Sequence, residues 1–183
     1  MSGAHRLRDA DGKVLNHHSG VSCFAEYSVL DRGSIVVIDS SLPFREAAIF
    51  GCAVMTGAGA VLNTARIRAG DSVAIVGLGG VGLNGLLGAV LAGAETIVAI
   101  DLSDDKLGLA RQLGATHTVN ATDADHVEQV REITRGGVDY AFDLAGTIKA
   151  METAYGCARH GGSVITAGLS PSGAKFSFEQ GDL

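Results

Sequence analysis

Three glycines and one aspartate give this sequence its clearest chemical pattern. The sequence G-L-G-G-V-G at 77–82 follows a short apolar run, 73–76, and opens a segment whose apolar residues recur at helical spacing. A second apolar run, 96–100, ends in Asp101, which lies 19 residues beyond Gly82. The order predicts a buried strand, a glycine-rich turn, a helix and a second strand that ends in an acid.

Each part of this pattern has a role in binding a dinucleotide. Gly77 permits a tight turn, Gly79 lets the backbone approach a pyrophosphate, and Gly82 lets the helix and strand pack closely. The N-terminus of the helix directs free N–H groups toward the phosphates. Asp101 can accept ribose hydroxyls and repels a 2′-phosphate, so it favours NAD over NADP. The alternative for Asp101 is a cap for the helix that begins near Ser103.

Two other classes of protein compete with this interpretation. The 23 residues 72–94 carry no charge and could cross a bilayer by length, but seven of them are glycines gathered where strand meets helix. A methyltransferase also uses a glycine-rich turn and an acid after its second strand. The third glycine and a complete second βαβ half argue against that class.

Composition narrows the remaining possibilities. The chain has 183 residues, 46% of them hydrophobic and 19% charged, so it can bury a core. The net charge of −6 and the lack of a basic cluster argue against a nucleic-acid partner. No signal peptide precedes the first charges, so we expect a cytoplasmic protein. The three cysteines are isolated from one another, which argues against a disulfide framework or a local structural zinc site.

The order of elements predicts an α/β fold with a doubly wound parallel sheet of the Rossmann type. The predicted strands are 73–76, 96–100, 116–119, 138–144, 163–167 and 175–178. The helices between them are 103–113, 125–134 and 147–158, preceded by a first helix whose apolar residues repeat from Val81 to Leu91. Gly146 and Gly168 mark strand ends, where ligands bind in such sheets.

The segment before this sheet, residues 1–67, is predicted to lack the alternation of strands and helices. Residues 1–20 suggest a loop, 22–30 and 34–38 suggest strands, and 43–67 suggests one broken helix or two helices. The paired histidines His17 and His18 invite a metal interpretation, but neighbouring side chains on a strand point apart. The isolated strands and the abrupt end of the sheet lead us to expect a chain truncated at both ends.

Several blocks together resemble the zinc-containing, medium-chain alcohol dehydrogenases, and among them the branch of glutathione-dependent formaldehyde dehydrogenase. The blocks are H-H-S-G-V-S-C-F-A-E-Y (17–27), G-C-A-V-M-T-G (51–57), G-L-G-G-V-G (77–82), D-L-S-D-D-K (101–106), L-G-A (113–115) and G-G-V-D-Y-A-F-D (136–143). The resemblance runs from about His17 to Gly168. It implies a GroES-like catalytic domain, of which 1–50 would be a remnant, joined to an NAD-binding Rossmann domain at 51–183.

The resemblance also implies a reaction and the residues that serve it. The family transfers a hydride between an alcohol and NAD, with a catalytic zinc as Lewis acid. By position, Cys52 matches the third protein ligand of that zinc, and Thr56 matches the residue beside the nicotinamide. The predicted cofactor contacts are Gly77, Gly79, Gly80, Val81, Gly82, Asp101, Lys106, Ala145, Gly168 and Leu169.

The family's other zinc ligands and its proton relay have no counterpart in this sequence. Because a catalytic zinc needs about three protein ligands, Cys52 alone cannot hold one. We therefore expect NAD binding, with zinc only in the full-length parent. The resemblance implies the function of an NAD-dependent alcohol dehydrogenase that acts on a primary alcohol or an S-hydroxymethyl thiol adduct. The alternatives are an inactive NAD(H)-binding module and, less consistent with Cys52, a zinc-free reductase. The resemblance further implies a homo-oligomer that associates near 175–178.

Overall fold

The computed structural model describes residues 7–16, 21 and 23–178. The chain divides into two compact units, Met1–Pro43 and Phe44–Leu183. The predicted boundary after residue 50, and the assignment of the first segment to a GroES-like domain, remain predictions. The histidine pair at 17–18 lies outside the described residues.

The first unit contains a small hairpin that the sequence did not lead us to expect. Strand β1, Leu7–Arg8, pairs antiparallel with β2, Val14–Leu15. A carboxylate oxygen of Asp9 accepts the backbone N–H of Lys13 at 2.8 Å and stabilises the turn between the strands. This part of the chain had been predicted to be a loop.

The strands predicted at 22–30 and 34–38 are wrong for the residues that the structure describes there. Those residues have no strand pairing and contain one 3₁₀ turn, Arg32–Ser34, capped by Asp31 through the N–H of Gly33 at 2.8 Å. Val29 and Val37 are each 95% exposed. Apolar, β-branched sequence forms a strand only where another strand satisfies its backbone, and none does so within the described part of this unit.

The second unit begins with an irregular helical segment. It comprises α1 at Phe44–Ala47, a π-helical stretch at Phe50–Val54, α2 at Met55–Gly59 and a second π-helical stretch at Ala60–Ala65. The predicted broken helix is therefore confirmed. The segment Phe44–Ala65 is long and apolar enough to cross a membrane by length and composition, and 17% of its most apolar stretch is buried. A single helix of this kind is weak evidence for a membrane span.

Five parallel strands with helices between them form the body of the second unit. In chain order these elements are β3 Ser72–Val76, α3 Gly80–Ala92, β4 Thr96–Asp101, α4 Asp104–Gln112, β5 His117–Asn120, α5 His126–Thr134, β6 Val138–Asp143, α6 Ile148–Cys157 and β7 Ala158–Thr166. The strand order is β5-β4-β3-β6-β7. The predicted doubly wound α/β sheet is confirmed, and the membrane interpretation of 72–94 is wrong, because that stretch is a strand, a turn and a 13-residue helix.

The central strands β3, β4 and β6 are mostly buried on both faces, as their apolar residues require. On one face, Ile75 and Phe142 pack with Leu86 of α3. On the other face, Val76 and Val98 pack with side chains of α5 and α6. The chain order reverses between β3 and β6, and the carboxyl ends of strands at such a reversal are where ligands bind in doubly wound sheets.

The last predicted strand, 175–178, is also wrong. Residues 174–178 form no strand. Phe176 and Phe178 instead pack on Tyr155 of α6, with ring centroids 5.5 and 5.7 Å from that of Tyr155. Contacts between aromatic rings at these distances stabilise the packing of this segment on α6. Strand β7 begins five residues earlier than the predicted start at 163.

Candidate cofactor-binding site

The glycine-rich turn joins β3 to α3 at the point where the chain order reverses. Gly77 follows β3 with φ +91°, in the left-handed region that favours glycine. A Cβ atom on Gly77 would lie 2.6 Å from the Cβ of Ala145, and one on Gly82 would collide with the carbonyl oxygen of Gly77. The fold itself therefore requires glycine at both positions, whatever ligand the turn binds.

Gly79 differs from its neighbours because its surroundings are open. It is the N-cap of α3, has φ −78° and ψ −168°, and would have nothing within 4 Å of an added Cβ. Gly79 and Gly80 are exposed, and a glycine cap has no side chain that could accept the first N–H groups of the helix. An open helix N-terminus with unoccupied donors fits a pyrophosphate.

Asp101 already accepts three hydrogen bonds around this turn. Its Oδ2 accepts the N–H of Leu78 at 2.7 Å and lies 3.4 Å from Nζ of Lys106, and its Oδ1 accepts the N–H of Ser103 at 3.1 Å. Its side chain is 9% exposed and that of Lys106 is 49% exposed. The acid thus connects the glycine-rich turn to the start of α4, while the side chain of Ser103 makes no capping bond.

The turns after β6 and β7 meet beside Gly77. Gly146 has φ +76°, and an added Cβ there would lie 2.7 Å from the backbone nitrogen of Leu169. An added Cβ on Gly168 would collide with Gly146. Ala145 and Leu169 are exposed. The structure therefore brings Ala145, Gly168 and Leu169 together at one edge of the sheet.

Cys52 and Thr56 lie on the helical segment that packs against α3. That packing is close because an added Cβ on Gly57 would lie 2.7 Å from the backbone nitrogen of Gly85. Ala53 approaches the start of α3, with its Cβ 3.4 Å from the Cβ position of Gly80. Thr56 is half-buried, as is Val81 in the first turn of α3.

The residues around Cys52 do not fit a zinc ion. Cys52 is exposed, and within 7–16, 21 and 23–178 no group of three histidine, cysteine or acidic side chains could hold a metal. A catalytic zinc takes about three protein ligands. We therefore derive no chemical step through zinc for this chain.

Two contributions to the site were missed from the sequence. The N–H of Leu78 holds Asp101, and nothing in an apolar residue between two glycines indicates such a bond. Asp143 is 2% exposed beneath the turn after β6. A carboxylate that ends the predicted strand V-D-Y-A-F-D after three apolar residues, directly before L-A-G, is the signal that could have identified it.

A family model described as zinc-binding dehydrogenase matches residues 80–183, which is more than half of the chain. The chain belongs to the zinc-binding dehydrogenase family. This membership excludes the methyltransferase alternative and agrees with the resemblance seen in the sequence.

Individual relatives agree with this family. The chain is 38% identical to S-(hydroxymethyl)glutathione dehydrogenase of Paracoccus denitrificans, over 96% of this chain and 49% of that protein. It resembles the crystal structure of benzyl alcohol dehydrogenase from Acinetobacter calcoaceticus with a TM-score of 0.87 and 32% identity, over 95% of this chain and 49% of the other. A zinc-binding dehydrogenase from Sinorhizobium meliloti, whose structure holds NADP, has a TM-score of 0.67 and 33% identity, over 72% of this chain and 39% of the other. The chain spans about half the length of the curated relatives it matches.

Proposed function

We propose that this chain is the NAD(H)-binding part of an alcohol dehydrogenase that transfers a hydride between an alcohol and NAD. The observation that supports this most strongly is the pairing of two strand ends. The glycine-rich turn follows β3, and Asp101 at the end of the neighbouring β4 accepts the N–H of Leu78 within that turn. When bound, NAD supplies the carbon that accepts the hydride.

The residues of the chain divide between the two halves of the cofactor. We assign the pyrophosphate to the N–H groups at the start of α3, beside Gly79, whose Cβ position has nothing within 4 Å. We assign the adenosine ribose to Asp101 and Lys106. The nicotinamide half is assigned to Thr56, Val81, Ala145, Gly168 and Leu169.

The charge at Asp101 supports NAD as the cofactor. The carboxylate is almost buried, so water screens it poorly, and a 2′-phosphate placed beside it would be strongly repelled. Lys106 lies 3.4 Å from that carboxylate and is already paired with it. The NADP found in the Sinorhizobium meliloti protein belongs to that protein, and the acid at position 101 supports the opposite choice here.

For the whole protein we propose a primary alcohol or an S-hydroxymethyl thiol adduct as the substrate. The names of two similar proteins, an S-(hydroxymethyl)glutathione dehydrogenase and a benzyl alcohol dehydrogenase, support this class. We further propose that the whole protein binds zinc, is cytoplasmic and is a homo-oligomer.

A second candidate is an NAD(H)-binding module without turnover. It is favoured by one observation, the lack of a three-ligand metal group among the residues that the structure describes. The two candidates agree on cofactor binding and differ on chemistry.

One set of measurements tests both candidates. NADH is titrated into the 183-residue chain by fluorescence and calorimetry, zinc content is measured by mass spectrometry, and NADH formation is followed with NAD and an alcohol. We expect saturable NADH binding, little zinc and negligible turnover. Failure to bind NADH would refute the proposed function, and robust turnover would refute the second candidate.

A further inference from the structure

Asp143 is a buried carboxylate that accepts hydrogen bonds from three different residues. It ends β6 and is 2% exposed. Its Oδ1 accepts the backbone N–H groups of Ala145 and Gly146, each at 3.1 Å. Its Oδ2 accepts the hydroxyl of Thr166 on β7 at 3.0 Å.

The backbone of Asp143 reaches the next turn as well. Its carbonyl oxygen accepts the N–H of Ala167 at 3.0 Å and that of Gly168 at 3.2 Å. One residue therefore fixes both the turn after β6 and the turn after β7. These are the turns that carry Ala145, Gly168 and Leu169.

The turns after β6 and β7 pack closely against each other. Gly146 and Gly168 are in such close contact that an added Cβ on either one would meet the backbone of the other turn. Ala145 in turn limits Gly77, since an added Cβ on Gly77 would lie 2.6 Å from the Cβ of Ala145. Ala145 is therefore held by two contacts, its N–H to Asp143 and its Cβ beside Gly77.

The charge of Asp143 is held without a cation. The ion pairs within the described part of the chain are Lys106–Asp101 and Arg159–Asp139, and neither involves Asp143. A buried carboxylate that is bonded only to N–H and O–H groups carries a desolvation free energy that an apolar residue at the same strand end would not have. The carboxylate instead fixes the positions of the N–H groups whose hydrogen bonds it accepts.

We infer that Asp143 is a positioning residue for the nicotinamide half of the cofactor, acting through the two turns that it connects. The inference rests on the proposed function, because it concerns the same NAD(H) site. It predicts different effects on the two halves of the cofactor, which a purely structural role does not. Loss of the carboxylate should weaken binding of the nicotinamide half and spare the adenosine half.

The test compares NADH with ADP-ribose, which has the pyrophosphate and the adenosine half but no nicotinamide. For Asp143→Ala we expect NADH affinity to fall about tenfold, the effect of losing one or two hydrogen bonds, and ADP-ribose affinity to stay within about twofold. Asp143→Asn should recover most of the NADH affinity, because its amide oxygen can still accept the N–H groups of Ala145 and Gly146. Circular dichroism confirms that each variant is folded.

Asp139→Ala is the matched control. Asp139 lies on the same strand, at its opposite end, and also accepts hydrogen bonds through both carboxylate oxygens. We expect this variant to lower the melting temperature and leave the ratio of the two affinities unchanged. Should Asp143→Ala fail to fold, Thr166→Val decides, because it removes only the hydroxyl that connects β7 to Asp143. About a threefold loss of NADH affinity with ADP-ribose unchanged is then expected.

The outcomes separate this inference from the proposed function. If Asp143→Ala weakens NADH and ADP-ribose equally, or weakens neither, the positioning role is refuted while nucleotide binding stands. If the unmodified chain binds ADP-ribose and NADH equally well, the nicotinamide half makes no contact, and the inference is refuted again. If the unmodified chain binds neither compound, the proposed function fails and this inference fails with it.

Discussion

Leu78 donates its backbone N–H to Oδ2 of Asp101 at 2.7 Å, so the acid at the end of β4 stabilises the glycine-rich turn after β3. The same carboxylate accepts the N–H of Ser103 and pairs with Lys106. A carboxylate has about four acceptor positions and three are used here, so Asp101 can serve the turn and still accept a ribose hydroxyl. The structural interpretation of Asp101 and the cofactor interpretation therefore describe one residue with two roles.

Two substitutions at Asp101 separate these roles. Asp101→Gly removes every acceptor, so NADH affinity should fall by tenfold or more, since hydrogen bonds to a charged group contribute about 1.5–3 kcal/mol. The preference for NADH over NADPH should decrease, because the negative charge that repels the 2′-phosphate is gone. Asp101→Asn keeps an oxygen for the N–H of Leu78, so its melting temperature should fall less than that of Asp101→Gly. Its preference for NADH over NADPH should also decrease, because the charge is lost. Titration of both nucleotides into each variant measures this, and an unchanged ratio of affinities would contradict the ribose assignment.

Gly79 and Gly82 predict opposite results for the same substitution. An added methyl group at Gly79 meets nothing within 4 Å, and its backbone angles suit any residue, so Gly79→Ala should cost less than about 1 kcal/mol of stability. The methyl group would project into the approach to the N-terminus of α3, so NADH affinity should fall. Gly82→Ala collides with the carbonyl oxygen of Gly77 and should unfold or severely destabilise the chain. Melting curves and NADH titrations check both, and Gly79→Ala with normal affinity would place the pyrophosphate elsewhere.

The sequence predicted most of the sheet because its signals were local. Strands β3, β4 and β6 are short, largely apolar runs bounded by turn residues, and the alternation with helices fixes parallel pairing. The glycine-rich turn could be placed because glycine spacing has a steric meaning. Gly77 and Gly82 are required by backbone angle and by close contact, both of which follow from a strand that turns into a helix.

The errors arose where a segment depends on partners distant in sequence. Val36 and Val37 favour a strand by type, yet they are 83% and 95% exposed in a segment without strand pairing. Phe176 and Phe178 pack on Tyr155, a contact that no local pattern reveals. The role of Asp143 was missed for a related reason. Its hydrogen bonds run partly to β7, and strand neighbours are decided by the order of the sheet.

The three cysteines should differ sharply in reactivity. Cys23 and Cys52 are exposed, whereas Cys157 at the end of α6 is fully buried. Burial raises the pKa of the Cys157 thiol to about 12, although the charge of Arg131 opposes this shift. Since the thiolate is the reactive form, Cys157 should resist a thiol reagent at pH 8 that modifies the other two. Titration with and without denaturant should give two fast thiols in the folded chain and three after unfolding. Three fast thiols in the folded chain would contradict the burial of Cys157.

Asp139 connects the amino ends of three strands and makes stability depend on pH. Its Oδ2 accepts the hydroxyl and the N–H of Ser72 on β3, at 2.6 and 2.8 Å, and its Oδ1 accepts Nε of Arg159 on β7 at 2.7 Å. These bonds, led by that from the Ser72 hydroxyl, lower the pKa of Asp139 from 3.8 to about 2, against the opposing effect of burial. The carboxylate is the form that the fold prefers.

The sign of the pH effect follows from this lowered pKa. The unfolded chain takes up the proton near pH 3.8 and the folded chain only near pH 2, so the stabilisation is complete above about pH 4 and is lost as the pH falls to 2. Asp139→Asn should cost about 1.5–3 kcal/mol at pH 7, the range for hydrogen bonds to a charged group. The difference from the unmodified chain should shrink between pH 4 and pH 2. Urea unfolding across this range measures it, with Glu152→Gln, the same chemical change at an exposed position, as the control. A difference that stays constant down to pH 2 would mean that the charge of Asp139 contributes nothing and that only its shape is used.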